Sequence, residues 1–174
     1  GKKIYLLPKA DAIVDPKQED CAYPFKSLCG TGVAYQLMTL LFRRMKRTMS
    51  HQEIFLQYTA IATVADVMEL VGENRILVRK GLSYLNHTNH TGLRALMEVC
   101  GIAPEQVRAY HIGFILGPCF NAAGRLDTIV HALALLESKE YDQALALAGE
   151  LWAMNEERKE LTRVGTERAV ELIE

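Results

Sequence analysis

Apolar residues return every three to four positions along most of this chain, and that spacing predicts helices. Between Thr31 and Met45 they fall at Val33, Leu37, Leu40 and Leu41, with Ala34, Met38 and Phe42 beside them, so this helix is expected to be buried on most sides. Ser50 with Glu53 three residues on has the pattern of a capping box. A helix starting near His51 then carries Ile54, Phe55, Tyr58, Ile61 and Ala62 on one face. Further helices are expected at Asn74 to Leu85, at Gly92 to Val99 closed by Gly101, from Pro104 to about Leu116, and over Asp127 to Leu136 with Asp127 as cap. From Tyr141 onward, Leu147, Leu151, Met154, Leu161 and Leu172 recur against a charged face, which predicts one long helix leaving the globule. Gly165, costing about 1 kcal/mol relative to Ala, is its single break signal. Like charges stand at i, i+4 in its middle (Glu156 and Glu160, Lys159 and Arg163), so local pairing is not expected to hold that stretch.

The strand signal is confined to Ala12-Ile13-Val14, a β-branched run stopped by Asp15-Pro16. One strand makes no sheet. The expected fold class is therefore mainly α, a fragment of an α/β domain with one short strand near the N-terminus, then a helical bundle and a long C-terminal connector helix, the first strands lying upstream.

With 174 residues and 49% hydrophobic side chains, the chain can bury a sizeable core. It contains no uncharged apolar run of membrane-spanning length and no signal peptide, and it reads as soluble and cytoplasmic. Cys21, Cys29, Cys100 and Cys119 form no C-x-x-C pair, so a disulfide framework or structural zinc is not expected. The net charge of -1 divides into +3 over residues 1–138 and -4 over 139–174. Arg43, Arg44, Lys46 and Arg47, and again Arg75, Arg79 and Lys80, cluster as either phosphate-facing groups or solvated helix ends.

Asp66 sits among Val64, Ala65, Val67 and Met68, where an ionised carboxylate needs a metal, a cation or several donors. Two readings stand: a ligand for a hard cation, or a helix-end Asp bonded to backbone N–H groups. In Gly117 to Arg125, GPCFNAAGR, small residues surround Asn121 and Arg125. Arg125 can fork onto a phosphate with Asn121 adding an amide, or Gly124 can relieve a tight interhelical turn while Arg125 pairs with a carboxylate such as Asp127. His87 and His90 have metal-like spacing but stand in a polar loop without a carboxylate partner.

ATVADVMEL at Ala62 to Leu70 and GPCFNAAGR resemble segments of RecJ-type exonucleases in the DHH phosphoesterase family. AIVDPK at Ala12 to Lys17, YPFKSLCGTGVAYQL at Tyr23 to Leu37 and GENRILVRKGL at Gly72 to Leu82 follow in the same order, so the resemblance covers nearly the whole chain. It implies 5′-to-3′ hydrolysis of single-stranded DNA in recombination and repair by two ions, Mn²⁺ or Mg²⁺. It further implies that Asp66 is catalytic and a metal ligand, and that Arg125, Asn121 and Gly124 meet the bound strand's phosphate. Departures are Ala62 and Glu69, where such chains usually have Gly and Pro, and Cys119, where they usually have Arg. The D-x-D and DHH motifs are absent from the sequence, so residues 1–138 are expected to form the C-terminal part of a DHH catalytic domain, inactive alone, and 139–174 the helix toward a DHH-associated domain. Rival readings are a non-catalytic helical module binding single strands or a partner, and another DHH phosphoesterase acting on short oligonucleotides. Oligomeric state is not encoded in any of these motifs.

Overall fold

The computed structural model describes residues 9–103, 105–125 and 129–173, and of Arg125 the backbone only. The chain forms α1 (Gly30–Arg44), α2 (Gln52–Ala65), α3 (Gly72–Leu85), α4 (Thr91–Val99), α5 (Ala109–His111), a π-helical turn (Ile112–Leu116), α6 (Gly117–Arg125), α7 (Ile129–Glu137) and α8 (Tyr141–Glu171).

Among the described residues there is no strand. Ala12-Ile13-Val14 runs exposed and enters a turn in which the Asp15 carboxylate accepts the Lys17 N–H at 2.9 Å. β-Branching favours a ladder but needs a neighbouring strand to share it, and none stands beside them among the described residues. The expected strand is thus corrected to irregular chain.

Other local expectations shift for identifiable reasons. His51, at φ 61°, is the N-cap of α2 and offers no side-chain cap, so Ser50 and Glu53 are out of register for a capping box. Helix α1 packs along one side only: Tyr35 is buried, while Leu37, Leu40 and Leu41 stay about half exposed, against the expected burial on most sides. Among the described residues after position 104 the helix begins at Ala109, later than expected, and Pro104 and Asp127 lie outside the described residues.

Two sets of helix contacts organise the body, α2 on α3 and α8 on α4 and α6. Gly81 of α3 lets α2 approach so closely that an added Cβ would overlap the Leu56 carbonyl and Ala60. The main core gathers Leu85, Leu93, Leu96, Ile112, Leu116, Leu135 and Leu151, each about 1% exposed or less. Burial of each such side chain stabilises the fold by about 1.5–3 kcal/mol. Gly101, at φ 67°, ends α4 in a Schellman arrangement: its N–H bonds the Glu98 carbonyl at 2.9 Å and the Ile102 N–H bonds the Met97 carbonyl at 2.8 Å.

Helix α8 continues unbroken through Gly165. Its first half is anchored by Ala144, Ala148, Leu151 and Asn155, all fully buried, and beyond Asn155 it is largely exposed. That outer half is supported by pairs the i, i+4 comparison of like charges overlooks. Glu156 bonds Lys159 at 2.7 Å, and Arg163 bonds both Glu160 at 2.5 Å and Glu167 at 2.6 Å. No helix among the described residues is long and apolar enough to cross a membrane.

Candidate functional site

The C-terminal end of α2 is where the sequence blocks converge. Asp66 is the C-cap, and the next residue, Val67, turns into the left-handed region at φ 54°. The Val67 N–H bonds the Val64 carbonyl at 3.1 Å and the Met68 N–H bonds the Thr63 carbonyl at 3.0 Å, a Schellman closure built without glycine. A β-branched residue held at positive φ stores about 1–3 kcal/mol of strain, and here it stands directly beside Asp66. Asp66 itself is exposed at this turn, despite its apolar neighbours in sequence.

Three supports fix this end. Thr63, fully buried, lies 3.4 Å through Oγ1 from the Sγ of Cys29, which itself accepts the Gly32 N–H and caps α1. Asn74, also fully buried, donates from Nδ2 to the Ser27 carbonyl at 2.7 Å and the Glu69 carbonyl at 3.0 Å, tying the segment after Asp66 to the Tyr23 to Leu37 block. Gly72 has φ 49°, and a Cβ there would stand 2.9 Å from the Phe25 ring, so both its backbone and its space demand glycine. Next to it Glu73 accepts bonds from the Tyr23 hydroxyl at 2.7 Å and from Gln36 at 2.9 Å.

The fourth neighbour is the GPCFNAAGR segment. Pro118 has no N–H and its ring excludes an ordinary α-helical bond to the preceding turn, and the chain widens there into the π-helical turn Ile112–Leu116. The extra residue keeps Ile112, Leu116, Cys119, Ala122 and Ala123 all buried. It also presses Gly117 onto α2, where a Cβ at Gly117 would sit 2.8 Å from the Ala65 Cβ. One turn on, Asn121 is exposed; Gly124 is exposed, with nothing among the described residues within 4 Å of an added Cβ. Positions 117, 121, 124 and 125 share one side of α6 by helical spacing. The side chain of Arg125 lies outside the described residues.

Electrostatically, the end of α2 is the negative end of its helix dipole, and Asp66 adds a full charge to it. That combination favours a cation. Yet among the described residues no group of three or more His, Cys, Asp or Glu side chains is placed to hold a metal ion, so these residues offer one carboxylate and not a complete centre. His90 has another role, which the sequence did not reveal: its Nδ1 accepts the Leu93 N–H at 3.2 Å as N-cap of α4, and its Nε2 lies 2.6 Å from the Tyr58 hydroxyl.

No protein-family model matches the chain. It is 42% identical over 165 residues to the single-stranded-DNA-specific exonuclease RecJ of Salmonella typhimurium, an alignment covering 89% of this chain and 29% of that protein. Two crystal structures of RecJ from Thermus thermophilus, one in complex with Mg²⁺ and one with Mn²⁺, superpose with a TM-score of 0.75 at 33% identity. They cover 84% and 86% of this chain and 23% and 22% of theirs. The chain thus spans under a third of the length of these relatives. Sequence and backbone agree along that span, and the chain is similar to a segment of RecJ-type exonucleases.

Proposed function

We propose that this chain is part of a cytoplasmic, single-stranded-DNA-specific exonuclease that digests 5′ to 3′ in recombination and repair, using Mn²⁺ or Mg²⁺. The observation supporting this is the close approach of Gly117 to Ala65, which sets the carboxylate-bearing end of α2 against the helix carrying Asn121, Gly124 and Arg125. A metal ligand and a phosphate clamp then share one edge. In this reading Asp66 is a catalytic residue that ligates one ion, Arg125 forks two donors onto a phosphate, Asn121 adds an amide and Gly124 leaves room for the strand. Bound ions would supply hydroxide and neutralise the leaving oxygen. The other ligands must come from outside these residues, so the chain alone is inactive. Residues 1–138 belong to the catalytic domain in this assignment, and 139–174 to the helix leading to a further one.

The test is a paired assay on the 174-residue chain. Expected is no metal-dependent digestion of single strands with Mn²⁺, together with salt-sensitive strand binding that drops on Arg125→Ala. Robust digestion abolished by Asp66→Ala would overturn the assignment of an incomplete site, and strand binding indifferent to Arg125 would overturn the clamp.

A further inference from the structure

Two aromatic side chains stand in solvent on the helical run that leads into GPCFNAAGR. Tyr110 and Phe114 stack on one another, 4.9 Å between centroids and 29° between planes, yet they remain 62% and 69% exposed. Because Tyr110 covers one face of Phe114, that exposure leaves the other face of Phe114 open. The stack is braced at its inner end. The His111 ring meets Tyr110 edge-on at 5.8 Å, and His111 Nδ1 accepts the Arg108 N–H at 3.0 Å. Gly113 sets the same turn against α2, where an added Cβ would lie 3.5 Å from Val64, two residues before Asp66. A braced pair of large rings left in water forgoes the stabilisation of burial, which marks a surface that meets something.

We infer that Tyr110 and Phe114 form a stacking platform for the bases of a single strand, one nucleobase adding to the open face of Phe114. The inference deepens the proposed function and rests on it, since it takes single-stranded DNA as the ligand. Ala109 to Arg125 is one continuous helical run, in which Gly117 follows Phe114 by three residues and Asn121 follows Gly117 by four. A strand whose phosphate is held by Asn121 and Arg125 therefore passes the rings about 10 Å away along the same helix. The two contacts divide the nucleotide chemistry, phosphate to amide and guanidinium, base to ring. Stacking needs only a π-face, so it tolerates any base sequence, as digestion along a strand requires. The surroundings fit a base better than a protein segment. A protein partner would need further apolar anchors around the rings. Tyr110 instead borders a hollow of about 390 Å³ lined otherwise by Glu105, Gln106, Val107, Arg108 and His111, of which Val107 alone is aliphatic. Arg108, exposed at that rim, adds a cation.

Fluorescence anisotropy with the 174-residue chain tests this, using an oligothymidine and an abasic strand of the same length. Expected is tighter binding of oligothymidine, and in Phe114→Leu about a tenfold loss of affinity confined to that strand. The salt dependence should stay as it was in Phe114→Leu, since no phosphate contact is lost. Phe114→Trp should restore affinity, its added emission quenched by oligothymidine and not by the abasic strand. Arg125→Ala, by contrast, should weaken both strands. Equal binding of the two strands by the parent chain, or undiminished oligothymidine binding in Phe114→Leu, would overturn the platform and leave the phosphate clamp standing. Binding of neither strand would overturn the function on which the platform rests, and the platform with it. Unchanged strand binding in Phe114→Leu with a dimer-to-monomer change in sedimentation would assign the rings to a second copy of the chain instead.

Discussion

Gly117 and Ala65 are in contact at the limit of what two backbones allow: the Cβ that Gly117 lacks would lie 2.8 Å from the Ala65 Cβ and equally close to the Ile112 carbonyl. A Cβ added at Gly124, further along the same helix, would meet nothing within 4 Å among the described residues. The pair separates two effects of glycine. Ala in place of a helical Gly gains up to about 1 kcal/mol of propensity, whereas overpacking costs about 1–3 kcal/mol. Gly117→Ala is therefore expected to destabilise by roughly 1 kcal/mol or more, and Gly124→Ala to stabilise by up to about 1 kcal/mol while weakening strand binding. Urea unfolding of both variants checks the signs; the same sign for both would remove the argument for close approach at Gly117.

Val67 makes a second test. At φ 54° and almost fully exposed, it gains little from burial to offset its backbone strain. Val67→Gly is expected to raise stability by about 1 kcal/mol, since glycine adopts that region freely. If the strain serves the placement of Asp66, the same substitution loosens metal affinity in the complete enzyme, measurable by manganese titration.

His90 carries a pH dependence. Burial lowers its affinity for a proton below the ordinary histidine value, against opposing backbone hydrogen bonds from Leu136 and His90 itself. With Nδ1 accepting the Leu93 N–H, the neutral ring must carry its proton on Nε2 and donate it to Tyr58. A depressed folded-state pKa means that the stabilisation is present above the unfolded value of 6.5 and is lost as pH falls through the lower folded value. Protonation also removes the cap, worth about 1 kcal/mol. Melting temperature should fall as the pH drops below 6.5 toward the lower folded value, and His90→Asn, which keeps a capping side chain, should flatten that part of the profile. An unchanged profile in the variant would place the acid sensitivity elsewhere.

Much of the helical frame was legible because burial in a bundle repeats with the helix period: Leu93 and Leu96, or Leu147 and Leu151, announce their faces directly. What escaped depended on partners or on special backbone. Ile13 and Val14 have strand-forming side chains but no ladder beside them among the described residues. Pro118 did carry a signal, a missing N–H just past the expected end of a helix, and the π-helical turn is its consequence. Cys29 belongs to no common capping type, so its hold on Gly32 and Thr63 could not be read from composition. Asp66 was visible as a carboxylate among apolar residues, but its exposure follows from the left-handed turn at Val67, which no β-branched residue advertises. Asn74 was legible only as the start of a helix; the fold shows it holding both Ser27 and Glu69.

The outer half of α8 behaves as a lever. From Asn155 to Glu171 it extends roughly 24 Å beyond its last buried residue at 1.5 Å per residue. The ion pairs of Arg163 with Glu160 and Glu167 resist bending along that length. A tilt of about 10° at the Leu151 and Asn155 anchor, where α8 packs on α6, therefore sweeps the far end through about 4 Å. Small repacking beside GPCFNAAGR is converted into a displacement large enough to be felt by whatever that rod carries.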